Sequence, residues 1–164
     1  MRGYLSLGSN IGDRRRHLEA ALKKLRQAGV QITAVSHIYE TRAVEVSDSQ
    51  ENYYNLAAAI EYEGSPHDLL RICRRIEDEL GRQRPYPRAP RTIDIDILLL
   101  EGMRLSTPDL EIPHPRMECR AFVIFPLSEV APGVVLPSGR DIIEVKKSLP
   151  HDEIARVLKK PHDG

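Results

Sequence analysis

The stretch "PRAPRTIDIDILLL", Pro87 to Leu100, passes from arginine and proline into isoleucine and leucine, yet two aspartates, Asp94 and Asp96, sit inside the apolar run. Three prolines in "RQRPYPRAPR" bar that part from a regular helix or a central strand. "TIDIDILLL" then reads as a strand. Residues two apart on a strand face the same way, so Asp94 and Asp96 share one face and Ile93, Ile95 and Ile97 the other. An ionised carboxylate is costly to bury unless it is paired or coordinated. The two side chains stand about 7 Å apart along the strand. Carboxylates so placed can hold two magnesium ions about 4 Å apart, the spacing used in phosphoryl chemistry. Magnesium takes a few carboxylates together with water and substrate phosphates, so two aspartates suffice. The alternative, since D-x-D is short, is that both face solvent from a half-exposed strand.

The sequence just upstream bears on that choice. Arg71, Arg74, Arg75, Arg82, Arg84, Arg88 and Arg91 crowd a segment that contains no lysine. Arginine without lysine suits forked, planar recognition of phosphate or carboxylate. Arg82, Arg84, Arg88 and Arg91 run directly into the aspartate strand, where cations aimed at phosphates and a metal bridging them would be needed for a nucleotide. The chain as a whole has 164 residues, with 24 basic and 24 acidic side chains that cancel. That balance disfavours a whole-surface attraction to nucleic acid or membrane. The length suits one domain, 1–164, with a real core. Cys73 and Cys119 match no metal spacing and read as reduced thiols of a cytoplasmic protein. No apolar run is long enough to span a bilayer, and no signal peptide is apparent.

Working outward, "GYLSLGSN" alternates as a first strand. Asp13 can cap a helix with the stripe Leu18, Ala21, Leu22, Leu25, ending near Gly29. "VQITAVSHIYET" reads as a second strand and "YYNLAAAIEYE" as a third, with the polar loop "RAVEVSDSQEN" between them. Ser65 and Pro66 start a second helix whose apolar positions are Leu69, Ile72, Cys73, Ile76 and Leu80, and Gly81 stops it. "TIDIDILLL" is the fourth strand, and "EGMRL" can turn it back into a hairpin. "AFVIFPL" reads as another strand, and Asp152 to Lys159 as a short helix in the tail. The order βαββαβ, with helices separated by adjacent strands, points to an α+β, ferredoxin-like core with a mostly antiparallel sheet, plus an extra hairpin and a C-terminal tail.

Other candidates lie on this frame. Arg74 and Glu77, three apart, share a helix face; they either pair with each other or face the nucleotide. "IPHPR" holds His114 rigidly between prolines, with Arg116 and Arg120 near it, as either a phosphate donor or a turn histidine bonded to backbone. "GSNIGD" sits where a phosphate-binding turn would, but it lacks the lysine and hydroxyl of a P-loop, and a tight packing turn is the alternative. Tyr53 and Asn55 share a strand face, and with Phe122 they could sandwich and read a flat heterocycle or be ordinary core residues. No Ser-His-Asp or Cys-His pattern is present, nor a helical His-x-x-x-His.

In order along the chain, "YLSLGSNIGDR", "YET", "Q-x4-N" ending at Asn55, "IE-x3-GR-x-R", "PRTIDIDILLL" and "IPHPR-x3-RAFV-x2-PL-x-E-x-AP" resemble the 6-hydroxymethyl-7,8-dihydropterin pyrophosphokinase family of the folate pathway, over about residues 4–132. The resemblance implies transfer of the pyrophosphoryl group of ATP to the pterin hydroxymethyl oxygen with release of AMP, two magnesium ions, a three-layer αβα arrangement, and loops that close over the substrates. Carried over by position, Asp94 and Asp96 are the metal ligands and, with Arg82 and Arg91, the catalytic set. Arg74, Glu77, Arg82, Arg84, Arg91, Ile97, His114 and Arg120 fall on the ATP side. Thr41, Val44, Tyr53, Asn55 and Phe122 fall on the pterin side. The partners implied are ATP and the pterin, with no nucleic acid or membrane, for a protein expected to be a monomer.

The chain departs from the family's pattern in places. Many members read Arg-Trp-Gly-Pro-Arg-Thr before the aspartates; here "RAPRT" has Ala89, one residue fewer, and the chain has no tryptophan. Tyr86 is the candidate replacement. Arg74 stands where glutamine is common, Arg42 where proline is usual and Glu45 where glycine is usual. Two other classes fit the raw pattern. A ferredoxin-like RNA-binding module would use the arginines on phosphates and Tyr53 and Tyr54 as stacking platforms. A magnesium-dependent nucleotidyltransferase would use the aspartate pair but release pyrophosphate in place of AMP.

Overall fold

The structure is a computed structural model and describes residues 1–42, 51–81 and 92–162. Its main sheet contains β1 (Arg2–Ser9), β2 (Gln31–Val35), β3 (Ile38–Thr41), β4 (Tyr53–Glu61), β5 (Asp94–Leu100) and β8 (Ile154–Leu158), in the order β5-β1-β4-β3-β8, with β2 also on β4. Every pairing within it is antiparallel. Taking β2 and β3 together as the second strand of the expected βαββαβ unit, β5-β1-β4-β3 is the ferredoxin-like arrangement anticipated from the chain order.

Helices α1 (Arg14–Gln27) and α2 (Pro66–Glu79) start and stop where their caps dictate. The Asp13 carboxylate accepts from the Arg16 amide. Ser65 and Asp68 form a reciprocal capping box. Gly81, just past the second helix, has φ of +86°, which favours a glycine there. Leu18, Leu22 and Leu25 of α1 and Leu69, Cys73 and Ile76 of α2 meet Leu5, Leu7, Ile93, Ile95 and Ile97 on one face of the sheet. The opposite face is covered by α3 (Ala121–Val130) and α4 (Ile142–Ser148), through Val123, Ile124, Leu127, Ile142 and Val145 against Ala57, Leu98 and Leu99. The layers are αβα, as the family resemblance implied.

Four local expectations are corrected. "AFVIFPL" is the helix α3, not a strand. It lies flat on the sheet with almost every side chain buried, so its sequence shows neither a helical stripe nor strand alternation. "VQITAVSHIYET" is two strands, broken at Ser36 and His37. There the Ser36 hydroxyl accepts from the Ala57 amide, and the Glu129 carboxylate of α3 accepts from the His37 amide, the His37 ring and the Tyr39 hydroxyl. The hairpin expected of "EGMRL" does not pair with β5; β6 (Leu105–Ser106) pairs instead with β7 (Glu111–Ile112). The tail segment Asp152 to Lys159 is mostly the strand β8, because β3 offers it an open edge that outweighs local helix preference.

Leu22 is fully buried between α1, α2 and the sheet. Leu22→Ala is expected to lower the unfolding free energy by about 3 kcal/mol in urea titration. A loss under about 1 kcal/mol would mean that the α1–α2 layer is not the principal core.

Candidate active site

The antiparallel registers bring several of the candidate residues to one end of the sheet, on the α3 face. Central strand β1 pairs Gly8 with Asp94 of β5 on one side and with Asn55 of β4 on the other; Ser6 likewise lies between Asp96 and Ala57. β3 adds Thr41 opposite Tyr53. The carboxylates and the pair Thr41 and Asn55 are thus separated by a single strand whose side chains there are a hydroxymethyl group and a hydrogen. A Cβ on Gly8 would lie 2.5 Å from Asn55 Oδ1, so only glycine leaves this amide in place. The Asn55 amide donates to the Thr41 hydroxyl at 2.7 Å, both residues being buried. Phe122, in the first turn of α3, has the Arg120 guanidinium 5.4 Å from its ring centroid.

Among the described residues β5 is the edge of the sheet, and Arg74, Glu77 and His114 gather on its free side. Glu77, a buried carboxylate on α2, accepts the Ile95 amide at 2.8 Å through one oxygen and the Arg74 guanidinium at 2.9 Å through the other. It thereby satisfies an edge donor that no strand among the described residues reaches. Further along the same edge, the His114 amide donates to the Leu98 carbonyl at 2.7 Å. Between α2 and the "IPHPR" segment lies a cavity of about 170 Å³ whose lining includes Leu70, Arg74, Asp96, Ile97, Leu110 and His114.

The charges in this site are strained by burial. Asp96 is pushed up to about 7 by desolvation and by the neighbouring charges of Asp94 and Glu77, with Arg120 and Arg74 pulling the other way. Glu77 is also raised, by burial first, against the Ile95 and Arg74 bonds that hold it ionised. His114 is lowered by burial and by the Arg120 charge. A neutral imidazole at neutral pH follows, with Nδ1 accepting from the Arg116 amide at 3.2 Å and Nε2 left to carry the proton. Carboxylates crowded in this way fit a divalent cation, which would relieve both the desolvation and the mutual repulsion. Among the described residues no three His, Cys, Asp or Glu side chains converge into a ready-made cage.

The family model for 7,8-dihydro-6-hydroxymethylpterin-pyrophosphokinase (HPPK) matches residues 4–132. The chain belongs to this family. It is 46% identical over 128 residues to the 2-amino-4-hydroxy-6-hydroxymethyldihydropteridine pyrophosphokinase of Bacillus subtilis, covering 77% of this chain and 76% of that protein. It is 41% identical over 157 residues to the protein of the same name from Methylorubrum extorquens, covering 95% and 98%. It also matches the folic acid synthesis protein FOL1 of Dictyostelium discoideum, 40% identical over 136 residues, but spans only 20% of that longer protein. Among solved structures, an HPPK-DHPS crystallised in complex with substrates superposes with a TM-score of 0.70 at 15% identity, over 90% of this chain and 45% of that one. That likeness supports the fold.

For a pyrophosphokinase-family chain, the described structure gathers much of the expected site. Arg74, Asp96, Ile97 and His114 share one cavity, and Glu77 stands behind it. Of the two readings of Arg74 and Glu77, the pairing is the one seen, and Arg74 also lines the cavity. Thr41 and Asn55 meet directly. Ser9 and Asn10 of "GSNIGD" are buried, as a packing turn requires. Arg82, Arg84, Arg88, Arg91, Ala89, Tyr86, Val44 and Glu45 lie outside the described residues. Sequence reasoning missed Gly8, Leu70 and Leu110. Leu70 and Leu110 carry no signal apart from ordinary apolarity, and the need for glycine at position 8 arises only from a neighbour across the sheet.

The raised Asp96 value makes a stability prediction for the metal-free protein. The unfolded carboxyl titrates near its ordinary 3.8 and the folded one near 7. Its contribution is therefore fully present below about pH 4 and is lost as the pH rises through about 7. In urea titrations at about pH 5 and about pH 8, the native protein should lose more stability than Asp96→Asn. Equal losses in the two proteins would contradict a strained Asp96.

Proposed function

We infer that this chain transfers the pyrophosphoryl group of ATP to 6-hydroxymethyl-7,8-dihydropterin, giving the pterin pyrophosphate and AMP, a step of folate biosynthesis. The observation that carries the reading is the pairing of family membership with a half-buried carboxylate pair whose Asp96 lines a cavity together with Arg74, Ile97 and His114. Asp94 and Asp96 would hold magnesium, two ions in all, with ATP as co-substrate. Bound there, magnesium would neutralise and orient the pyrophosphoryl oxygens and acidify the pterin hydroxyl.

The protein's own contribution is positioning and electrostatics. Ile97 and Leu70 offer apolar walls to the nucleotide, and neutral His114 can donate to a phosphate oxygen. Arg120 adds a cation near Asp96, and Arg82, Arg84 and Arg91 are assigned from sequence position to the phosphates. Of these, Arg82 and Arg91 would neutralise charge as AMP departs. On the other side of β1, Asn55 and Thr41 would read the pterin edge, with Val44 beside them, while Tyr53 and Phe122 would stack on its faces. The pterin oxygen forms the new bond to the β-phosphorus, and the bridging oxygen leaves with AMP.

We further place the whole chain, 1–164, in one domain acting as a cytoplasmic monomer, without nucleic acid or membrane as partner. The balanced charge and two unlinked cysteines support this. Among the described residues no helix is long and apolar enough to cross a membrane.

The test is a chromatographic assay with ATP, magnesium and reduced hydroxymethylpterin. AMP is expected only when pterin is present, and Asp96→Ala should lower turnover by about 100-fold or more. Release of pyrophosphate, or AMP formation that ignores the pterin, would refute the assignment. Full turnover by Asp96→Ala would remove the metal site from these carboxylates.

A further inference from the structure

The C-terminal tail lies beyond the part of the chain that the family model matches, yet it forms the last strand of the main sheet. β8 pairs with β3, setting Ile154 opposite Thr41 and Arg156 opposite Glu40. Without β8, β3 would be a four-residue edge strand, a weak mount for any side chain. Thr41 stands at its last position, and its hydroxyl holds the buried Asn55 amide at 2.7 Å.

The bond between tail and strand is specific. Arg156 grips one oxygen of Glu40 through Nε at 2.9 Å and Nη2 at 2.6 Å. The other oxygen accepts from the Asn52 amide at 3.0 Å, just ahead of β4. One carboxylate therefore ties three strand regions together immediately before Thr41. Asn52 and Arg156 hold Glu40 below the usual carboxylate range, against the opposing effect of burial. On the other side of Thr41, the Arg42 amide donates to the Glu153 carbonyl at 3.0 Å, and its guanidinium bonds the Asp152 carbonyl. A proline at position 42 could make neither bond. Further along, the Arg15 guanidinium donates to the Lys159 and Lys160 carbonyls, so Arg42 and Arg156 fasten the part of the tail that lies beside Thr41.

We propose that β8 acts as a brace for the pterin side of the site, with Arg156 as a positioning residue that holds Thr41 against Asn55 through Glu40. The proposal rests on the function inferred above. Glu40 and Arg156 lie on the sheet face opposite Thr41, so neither touches the substrate. Their action is on where the strand sits. A misplacement of a reading group by a fraction of an ångström is felt in binding of the group it reads, not in binding of the nucleotide across β1.

The test is pterin binding, followed by the pterin's own fluorescence, to the full-length protein with magnesium and a non-hydrolysable ATP analogue. Binding of the analogue is measured separately. Arg156→Ala should weaken pterin binding by about tenfold and leave the nucleotide affinity within about twofold. Arg156→Lys should recover part of the loss, since lysine keeps the charge but not the fork. In a Thr41→Ala background, Arg156→Ala should add little, because the group it positions is gone. Thermal melting of each variant checks folding. Equal losses for pterin and nucleotide, full additivity with Thr41→Ala, or no change in Arg156→Ala would each overturn the brace. A native protein that forms no pterin-dependent AMP would instead overturn the functional assignment beneath it.

Discussion

Three carboxylates, Asp94, Asp96 and Glu77, are crowded around one edge strand, and the site follows from how their repulsion is managed. Burial and like charge push Asp96 up to about 7 and raise Glu77 as well. Glu77 is held by the Ile95 amide and Arg74. Asp96 feels Arg74 and Arg120 as partial compensation. Such an arrangement is unfavourable for stability taken alone. A divalent cation carrying phosphate oxygens would relieve it, as the proposed function requires.

The rest of the sheet leaves the face beside this charged edge lined by small side chains. β1 keeps small groups at Ser6 and Gly8 on the site face, and the glycine is required by the position of Asn55. β3 and β4 then present Thr41, Tyr53 and Asn55 within the same face. Apolar packing on the other face, from α1 and α2, keeps β1 and β5 rigid where precision matters. Two hydrophobic layers therefore support one charged strip at their rim.

Much of this was legible in the sequence because the deciding signals were local. The capping residues of α1 and α2 sit within three positions of the groups they satisfy. The period of two places Asp94 and Asp96 on one face of β5 without knowledge of any other strand. Where the deciding contact is distant, local reading failed. "AFVIFPL" carries no period because α3 is buried nearly all round, and its choice between helix and strand depends on the sheet beneath it. Ile154–Leu158 became a strand because β3, more than a hundred residues earlier, had an edge to offer. The requirement for glycine at position 8 is set by Asn55 across the sheet.

The most direct measurement is crystallographic: the protein with manganese in place of magnesium and a non-hydrolysable ATP analogue, with anomalous scattering used to locate the metal. Expected are manganese peaks bonded to the carboxylate oxygens of both Asp94 and Asp96 and to phosphate oxygens of the analogue, whose nucleoside lies in the cavity lined by Arg74, Ile97 and His114. Manganese bound to the phosphates but remote from both aspartates would contradict the assignment of this edge strand as the metal-bearing element.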